Sequence, residues 1–249
     1  MTGQGLQVEA GWADAFARAG LDSLAAVLER ATCVRDLPDR ANLELTLDGR
    51  RVFVKRTKRG TVCREWLLAR WARSNGLPTA EPVFSGSDPK LGAACGAADL
   101  APARPLDDLL REDALPWTTR RVVLLSLASQ VARLHALRRH HRDLYLNHVY
   151  VDPDAEAPVV GIIDWERSGP HWRRLGRWVV KDLASLDASV PGGTVTRSER
   201  MRFLAHYLRA LPGADVRRDL PGLARRVVQK ASRIRAHVPR TPVGEAARP

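Results

Sequence analysis

Long apolar runs are missing from this sequence. No stretch approaches the ~18–20 apolar residues that a membrane span needs, so any membrane contact is expected at the surface. A secretory leader is missing too. Residues 1–9 carry no basic segment followed by an apolar one, which points to a cytoplasmic protein. Cysteine is scarce: Cys33, Cys63 and Cys95 are scattered without metal-ligand spacing, and three is an odd count for a disulfide framework. Such thiols suit a reducing compartment, each expected as a small buried apolar residue. Acidic residues are outnumbered, 28 Asp+Glu facing 40 Lys+Arg, for a formal net charge of +12. That balance favours partners rich in phosphate or carboxylate. Nearly all of the bases are Arg, which a high-GC genome would also produce. No internal repeat or long low-complexity tract is present. The charge alone would allow nucleic-acid binding, but nothing resembles a helix-turn-helix, RNA-binding or zinc module, so that reading ranks low.

What is present is ordinary globular material. At 249 residues, 45% apolar and 27% charged, the chain suffices for one large domain or two lobes sharing a cleft. Residues 12–31 have apolar side chains at helical spacing and predict one or two short helices. From Asn42 the pattern alternates: Leu43, Leu45 and Leu47 share one face of a strand. Asp48-Gly49 is a hairpin turn signal, and Val52-Phe53-Val54-Lys55 is the returning strand. A helix over 62–74 is closed by Asn75-Gly76 and Pro78. Strands are expected at 82–86 and 92–98, so residues 1–100 read as a small antiparallel sheet carrying one helix. Beyond Pro102 and Pro105 the character is helical. A short helix at 106–111 precedes a long amphipathic one at 118–138 with Val122, Leu125, Ala128, Val131, Ala132 and Leu134 inward. Two short β segments (149–151 and 159–163) and helices near 177–188, 198–210 and 219–237 complete it, with a disordered tail from Pro239. The expected class is α+β: a β-rich lobe, a hinge, and an α-rich lobe over 101–238.

The strongest chemical signal is His141-Arg142-Asp143-Leu144-Tyr145-Leu146-Asn147-His148, delivered by the long helix and followed by the strand Val149-Tyr150-Val151. A second is Gly161-Ile162-Ile163-Asp164, an apolar strand ending in a carboxylate. Phosphoryl transfer requires one carboxylate to orient the acceptor hydroxyl and another to hold Mg²⁺ against the nucleotide phosphates. Two carboxylates at the ends of neighbouring β segments can converge on one cleft. H-R-D alone recurs by chance; joined to the strand-end Asp and an upstream strand Lys it is specific. That Lys is Lys55, and Glu65 on the next helix is its natural ion-pair partner.

This ordered set resembles the protein-kinase-like superfamily, and within it the bacterial lipopolysaccharide kinase family, whose members phosphorylate heptose or Kdo sugars of the inner core. The resemblance rests on the H-R-D-L-Y-L-N-H run, on Ile162-Ile163-Asp164-Trp165-Glu166-Arg167, and on Arg174-Leu-Gly-Arg-Trp-Val-Val-Lys-Asp-Leu-Ala184. It extends from about residue 42 to about residue 186, through the Asn42–Lys55 hairpin, Arg64-Glu65 and Gly76-Leu-Pro-Thr-Ala-Glu-Pro-Val83. It implies a two-lobed kinase fold using ATP and Mg²⁺ on an anionic saccharide or glycolipid, at the inner face of the inner membrane. Asp143 would orient or deprotonate the sugar hydroxyl, and Asp164 would ligate Mg²⁺. Lys55 and Glu65 would form the phosphate-positioning pair. Asp182 would anchor the catalytic loop from a helix beneath it or serve as a buried helix cap, and Arg142 would be structural.

Departures from the protein-kinase pattern refine this. His148 stands where protein kinases place an Asn for the second metal, with Asn147 beside it, so the second ligand is open. No G-x-G-x-x-G precedes Lys55. Asp182 follows Asp164 by only eighteen positions, too few for a long activation loop, which favours a small or saccharide acceptor over a peptide. Arg167, His171, Arg173, Arg174 and Arg177 crowd the following loop, interleaved with Trp165, Trp172 and Trp178. They read either as a saccharide-binding cluster or as a solvated basic loop over core tryptophans. Arg217, Arg218, Arg225, Arg226, Lys230, Arg233 and Arg235 give the last helices a basic face, suited to anionic lipid or simply to solvent. His135, His206 and His237 read as isolated structural residues. A kinase of another acceptor and a nucleotide-binding pseudokinase are the competing functions.

Overall fold

The computed structural model describes residues 5–58 and 63–237. In chain order the strands are β1 (Gly5–Val8), β2 (Thr32–Asp36), β3 (Arg40–Leu47), β4 (Arg50–Thr57), β5 (Pro82–Asp88) and β6 (Gly92–Ala98). Five short ones follow: β7 (Arg104–Pro105), β8 (Arg139–His140), β9 (Val149–Val151), β10 (Val160–Ile162) and β11 (Gly169–Pro170). The helices are α1 (Ala13–Arg18), α2 (Leu24–Arg30), α3 (Arg64–Ser74), α4 (Leu106–Arg111), α5 (Trp117–Ala136), α6 (Arg177–Ser189), α7 (Arg197–Ala210) and α8 (Val216–His237). The chain divides into two compact units. Residues up to Leu106 with His148–Ser168 make the first; Asp107–Asn147 with the residues from Gly169 make the second.

The first unit is organised by an antiparallel sheet in the order β1-β5-β6-β4-β3-β2. Asp48 and Gly49, both at positive φ, close the β3–β4 hairpin. Alternation then sorts the side chains. Ala41, Leu43, Leu45, Leu47, Val52 and Val54 are buried with Trp12, Phe16, Leu24 and Val27 from the α1–α2 region. Each fully buried Val adds roughly 1.5–3 kcal/mol. A Cβ on Gly96 would lie 2.4 Å from the Phe84 ring, so only glycine fits where these strands meet that core. Lys55, offset by one from Val54, projects toward the opposite face. Its cross-strand partner is Cys95, which packs in a separate cluster with Cys63 and Trp66 of the α3 region.

Two features of this unit depart from the sequence reading. Cys63 and Cys95 form a disulfide, so they are not separate thiols, and Cys33 is exposed. Their spacing of 32 residues hides a Cα–Cα distance of 6.0 Å, brought about by α3 folding across β6. The sheet is also wider than expected, because β1 and β2 pair along β5 and β3. Helix α3 begins at Arg64, with Val62 outside the described residues, as is the tail from 239.

The second unit is a helical assembly in which α5 packs on α7, and α8 on both α6 and α7. The inward stripe of α5 is Val123, Leu127, Ala128, Val131, Ala132, Leu134 and His135. Val122, expected inward, is 53% exposed. The helix begins at Trp117, and its buried stripe runs through Val123 and Leu127, one position away from Val122. Thr196 and Glu199 form a capping box at the start of α7. Leu223, Val227 and Ala231 bury one stripe of α8, leaving its other face basic. The short β8 pairs with β11, tying the segment before His141 to the segment after Ser168.

Candidate active site

In the first unit, three elements bring titratable groups together. Strand β4 supplies Lys55, the second residue of α3 is Glu65, and Asp164 follows β10. The Lys55 ammonium lies 2.6 Å from Asp164 Oδ1 and 3.7 Å from Glu65 Oε2. Burial works against its charge, but Glu65 and Asp164 outweigh that and hold it above the usual lysine range. For Glu65, burial and then Asp164 push the carboxyl upward against the pull of Lys55, leaving it above the usual carboxylate range. Its two oxygens accept backbone N–H groups instead: Oε1 from Trp165 at 3.1 Å and Oε2 from Glu166 at 2.8 Å.

Asp164 is in the left-handed region, at φ 67° and ψ 55°. The 3-10 turn Trp165–Arg167 follows it at once. Trp165 is fully buried; its indole N–H reaches Thr79 Oγ1 at 3.0 Å and the Ile162 carbonyl at 2.9 Å. The β9–β10 pairing sets Val149 opposite Ile162 and carries His148 to the same end of the hairpin as Asp164. His148 Nε2 stands 3.5 Å from Asp164 Oδ2. No group of three or more His, Cys, Asp or Glu among the described residues could hold a metal ion by itself. The Asp164 carboxylate is the kind of oxygen ligand that a hard cation such as Mg²⁺ takes together with phosphate oxygens and water.

In the second unit, the loop carrying Asp143 is held from below. Asp182, fully buried in α6, accepts the backbone N–H of His141 and of Arg142, each at 2.7 Å. Arg142 is left-handed, at φ 77°. Asp182 also lies 3.2 Å from His135 Nε2, and His135 Nδ1 lies 2.9 Å from the Tyr207 hydroxyl. Burial alone would raise the Asp182 carboxyl, yet His135, His141 and the backbone amide hold it below the usual range. Burial raises the Tyr207 phenol. From the sequence His135 reads as an isolated structural residue, and nothing marks Tyr207. Their signal was weak: one polar ring on the buried stripe of α5 and one on α7.

The remaining candidates disperse. Asn147 is exposed. Arg167 and Arg173 are exposed, whereas Arg174 pairs with Asp219 of α8 at 3.3 Å. His171 is buried and meets the edge of His135. Of the three tryptophans, Trp165 is core and Trp172 is 87% exposed. Trp178 stacks on His140 at 4.5 Å, with Arg142 and Arg177 over its ring.

The sequence profile of the lipopolysaccharide kinase (Kdo/WaaP) family matches residues 49–207. The chain belongs to that family. The matched span contains Lys55, Glu65, Asp143, Asp164 and Asp182. Two curated relatives are named lipopolysaccharide core heptose(I) kinase WaaP. The one from Pseudomonas aeruginosa is 28% identical over 80% of this chain and 85% of its own length. The one from Escherichia coli is 26% identical over 81% and 86%. A solved structure of WaaP in complex with acyl carrier protein superposes with a TM-score of 0.74 at 27% identity, covering 92% of this chain and 98% of that one. The fold is accordingly α+β and kinase-like, and the chain is a lipopolysaccharide kinase by family. No described helix is long and apolar enough to cross a membrane.

Proposed function

We propose that the chain transfers the γ-phosphate of ATP to a sugar hydroxyl, on heptose or Kdo, of the lipopolysaccharide inner core. The observation that carries this reading is the Lys55–Asp164 contact of 2.6 Å, with Glu65 bonded to the two amides that follow Asp164. Lys55 would turn from Asp164 to the α/β-phosphates of bound ATP. Asp164, with His148 beside it and Asn147 as a further donor, would hold Mg²⁺. A bound Mg²⁺ would neutralise charge on the phosphate oxygens. Asp143 would orient the sugar O–H and take its proton as the new O–P bond forms and the β–γ bridging bond breaks, releasing ADP. The exposed Arg167 and Arg173 would meet acidic groups on the acceptor, and Arg174 would brace that loop through Asp219. Purified protein given γ-labelled ATP, Mg²⁺ and deacylated inner-core saccharide should place label on the sugar. Label confined to protein would refute the reading.

A carrier-protein partner is favoured by a separate observation. A cavity of about 380 Å³ opens among α5, α6, α7 and α8, lined by Leu124, Leu127, Leu186, Phe203, Leu204 and Val227. Arg197, Arg200 and Arg225 line it beside Asp187 and Glu199, with Arg200 paired to Asp187, and the outer face of α8 is basic. Since the related WaaP was solved with acyl carrier protein, we infer that this chain binds an acidic carrier protein whose acyl chain enters the cavity. Acyl-loaded carrier should raise the melting temperature, and the unacylated carrier should not. Stabilisation by anionic vesicles alone would assign the basic face to membrane-surface attachment instead.

A further inference from the structure

Glu65 has its nearest partners in the backbone after Asp164. Its Oε2 stands 3.7 Å from the Lys55 ammonium, beyond hydrogen-bond distance, while both oxygens accept amides at 3.1 and 2.8 Å. Those amides belong to Trp165 and Glu166, the first two residues of a 3-10 turn. The opening N–H groups of such a turn have no acceptor within it. Asp164 sits at the cap position and makes no side-chain cap hydrogen bond, so the acceptors come from another element. Glu65 supplies both.

The backbone needs that help. A non-glycine residue is strained in the left-handed region, and Asp164 is there at φ 67°. A carboxylate oxygen is a stronger acceptor for a backbone amide than a neutral oxygen is. The same helix also fixes the turn by packing, since Trp71 of α3 meets Trp165 edge-on at 6.4 Å. Helix α3 and the turn after Asp164 therefore act as one piece.

We propose that Glu65 is a positioning residue for Asp164, acting through the amides of Trp165 and Glu166, and that partnering Lys55 is its lesser role. This rests on Asp164 being a cation ligand. Loss of the clamp would then weaken cation binding at Asp164, whereas loss of Lys55 would weaken nucleotide binding.

Two readouts on full-length Glu65→Gln, Glu65→Ala and Lys55→Met test the assignment. The first is residue-level hydrogen exchange without nucleotide. The Trp165 and Glu166 amides should exchange at least tenfold faster in Glu65→Ala and by an intermediate factor in Glu65→Gln, which keeps one acceptor oxygen. They should be unchanged in Lys55→Met. The second is Mn²⁺ binding by electron paramagnetic resonance, with a non-hydrolysable ATP analogue present. The Glu65 variants should weaken Mn²⁺ at least fivefold while metal-free analogue affinity stays within twofold, and Lys55→Met should show the reverse. Unchanged exchange in Glu65→Ala overturns the clamp whatever the chemistry of the site. Fast exchange with unchanged Mn²⁺ affinity overturns its link to Asp164. Full Mn²⁺ affinity in Asp164→Asn would instead refute the ligand role of Asp164 and leave the exchange result standing.

Discussion

Asp182 accepts the backbone N–H of Arg142 at 2.7 Å, and Arg142 is the left-handed residue directly before Asp143. In the other unit Glu65 does the same for the amides directly after the left-handed Asp164. Each proposed catalytic aspartate is thus adjacent to a backbone segment that a carboxylate from a helix holds by two consecutive amides.

Replacing Asp182 by Asn leaves one acceptor oxygen for two amides and turns an NH₂ group toward a donor. Such an unsatisfied buried group costs about 1–3 kcal/mol. Turnover should fall at least tenfold with the KM for ATP within twofold, measured by steady-state kinetics beside a thermal melt. An unchanged turnover would separate the loop anchor from catalysis.

Tyr207→Phe removes the hydroxyl from His135 Nδ1 and keeps the ring that meets it edge-on. The expected loss is about 1–2 kcal/mol in denaturant unfolding. Because His135 bonds Asp182 through its other nitrogen, turnover should fall less than in Asp182→Asn, and a larger fall would contradict this order of dependence.

Stability should drop in mild acid. Burial first, then the facing His135, lower the imidazole of His171 below its usual value, against a backbone hydrogen bond to Arg173; His140 and Arg138 lower it further. His140 is lowered by burial, against Asp182, with His135 and Arg142 adding to the lowering. The unfolded chain therefore takes up protons below about pH 6.5 that the folded one refuses. This contribution is complete above that pH and lost as pH falls. Melting temperatures from pH 8 to 5.5 should decline, and His171→Asn should flatten the decline. A flat wild-type profile would contradict the burial of these rings as neutral groups.

Reducing the Cys63–Cys95 bridge opens a loop of 32 residues in sequence separation. By chain entropy such a closure stabilises by about 3–4 kcal/mol. A reductant should lower the melting temperature of the wild type and leave that of Cys63→Ser unchanged. Equal melts would mean that the bridge carries no stability.

Much of this was legible in the sequence, for physical reasons. Strict alternation in β3 and β4, with Asp48-Gly49 between them, leaves one hairpin register that buries the leucines. The H-R-D-L-Y run sits where a long helix must end, and its neighbours are short apolar strands. What was not legible depended on tertiary context. Strand β2 is exposed along its whole length and carries no alternation to read. The Cys63–Cys95 bridge needs α3 placed across β6. The partnership of Asp182, His135 and Tyr207 joins three helices whose contacts no local pattern encodes. Glu65 was found by its spacing from Lys55, whereas its nearest partners, the amides after Asp164, came from an element a hundred residues away.

The most direct test is mass spectrometry of inner-core saccharide after incubation with ATP and Mg²⁺, comparing the wild type with Asp143→Asn and Asp164→Asn. The account predicts one added phosphate on heptose or Kdo with the wild type, and at least a hundredfold less with either variant. Undiminished sugar phosphorylation in Asp143→Asn, or phosphate found only on protein, would contradict it.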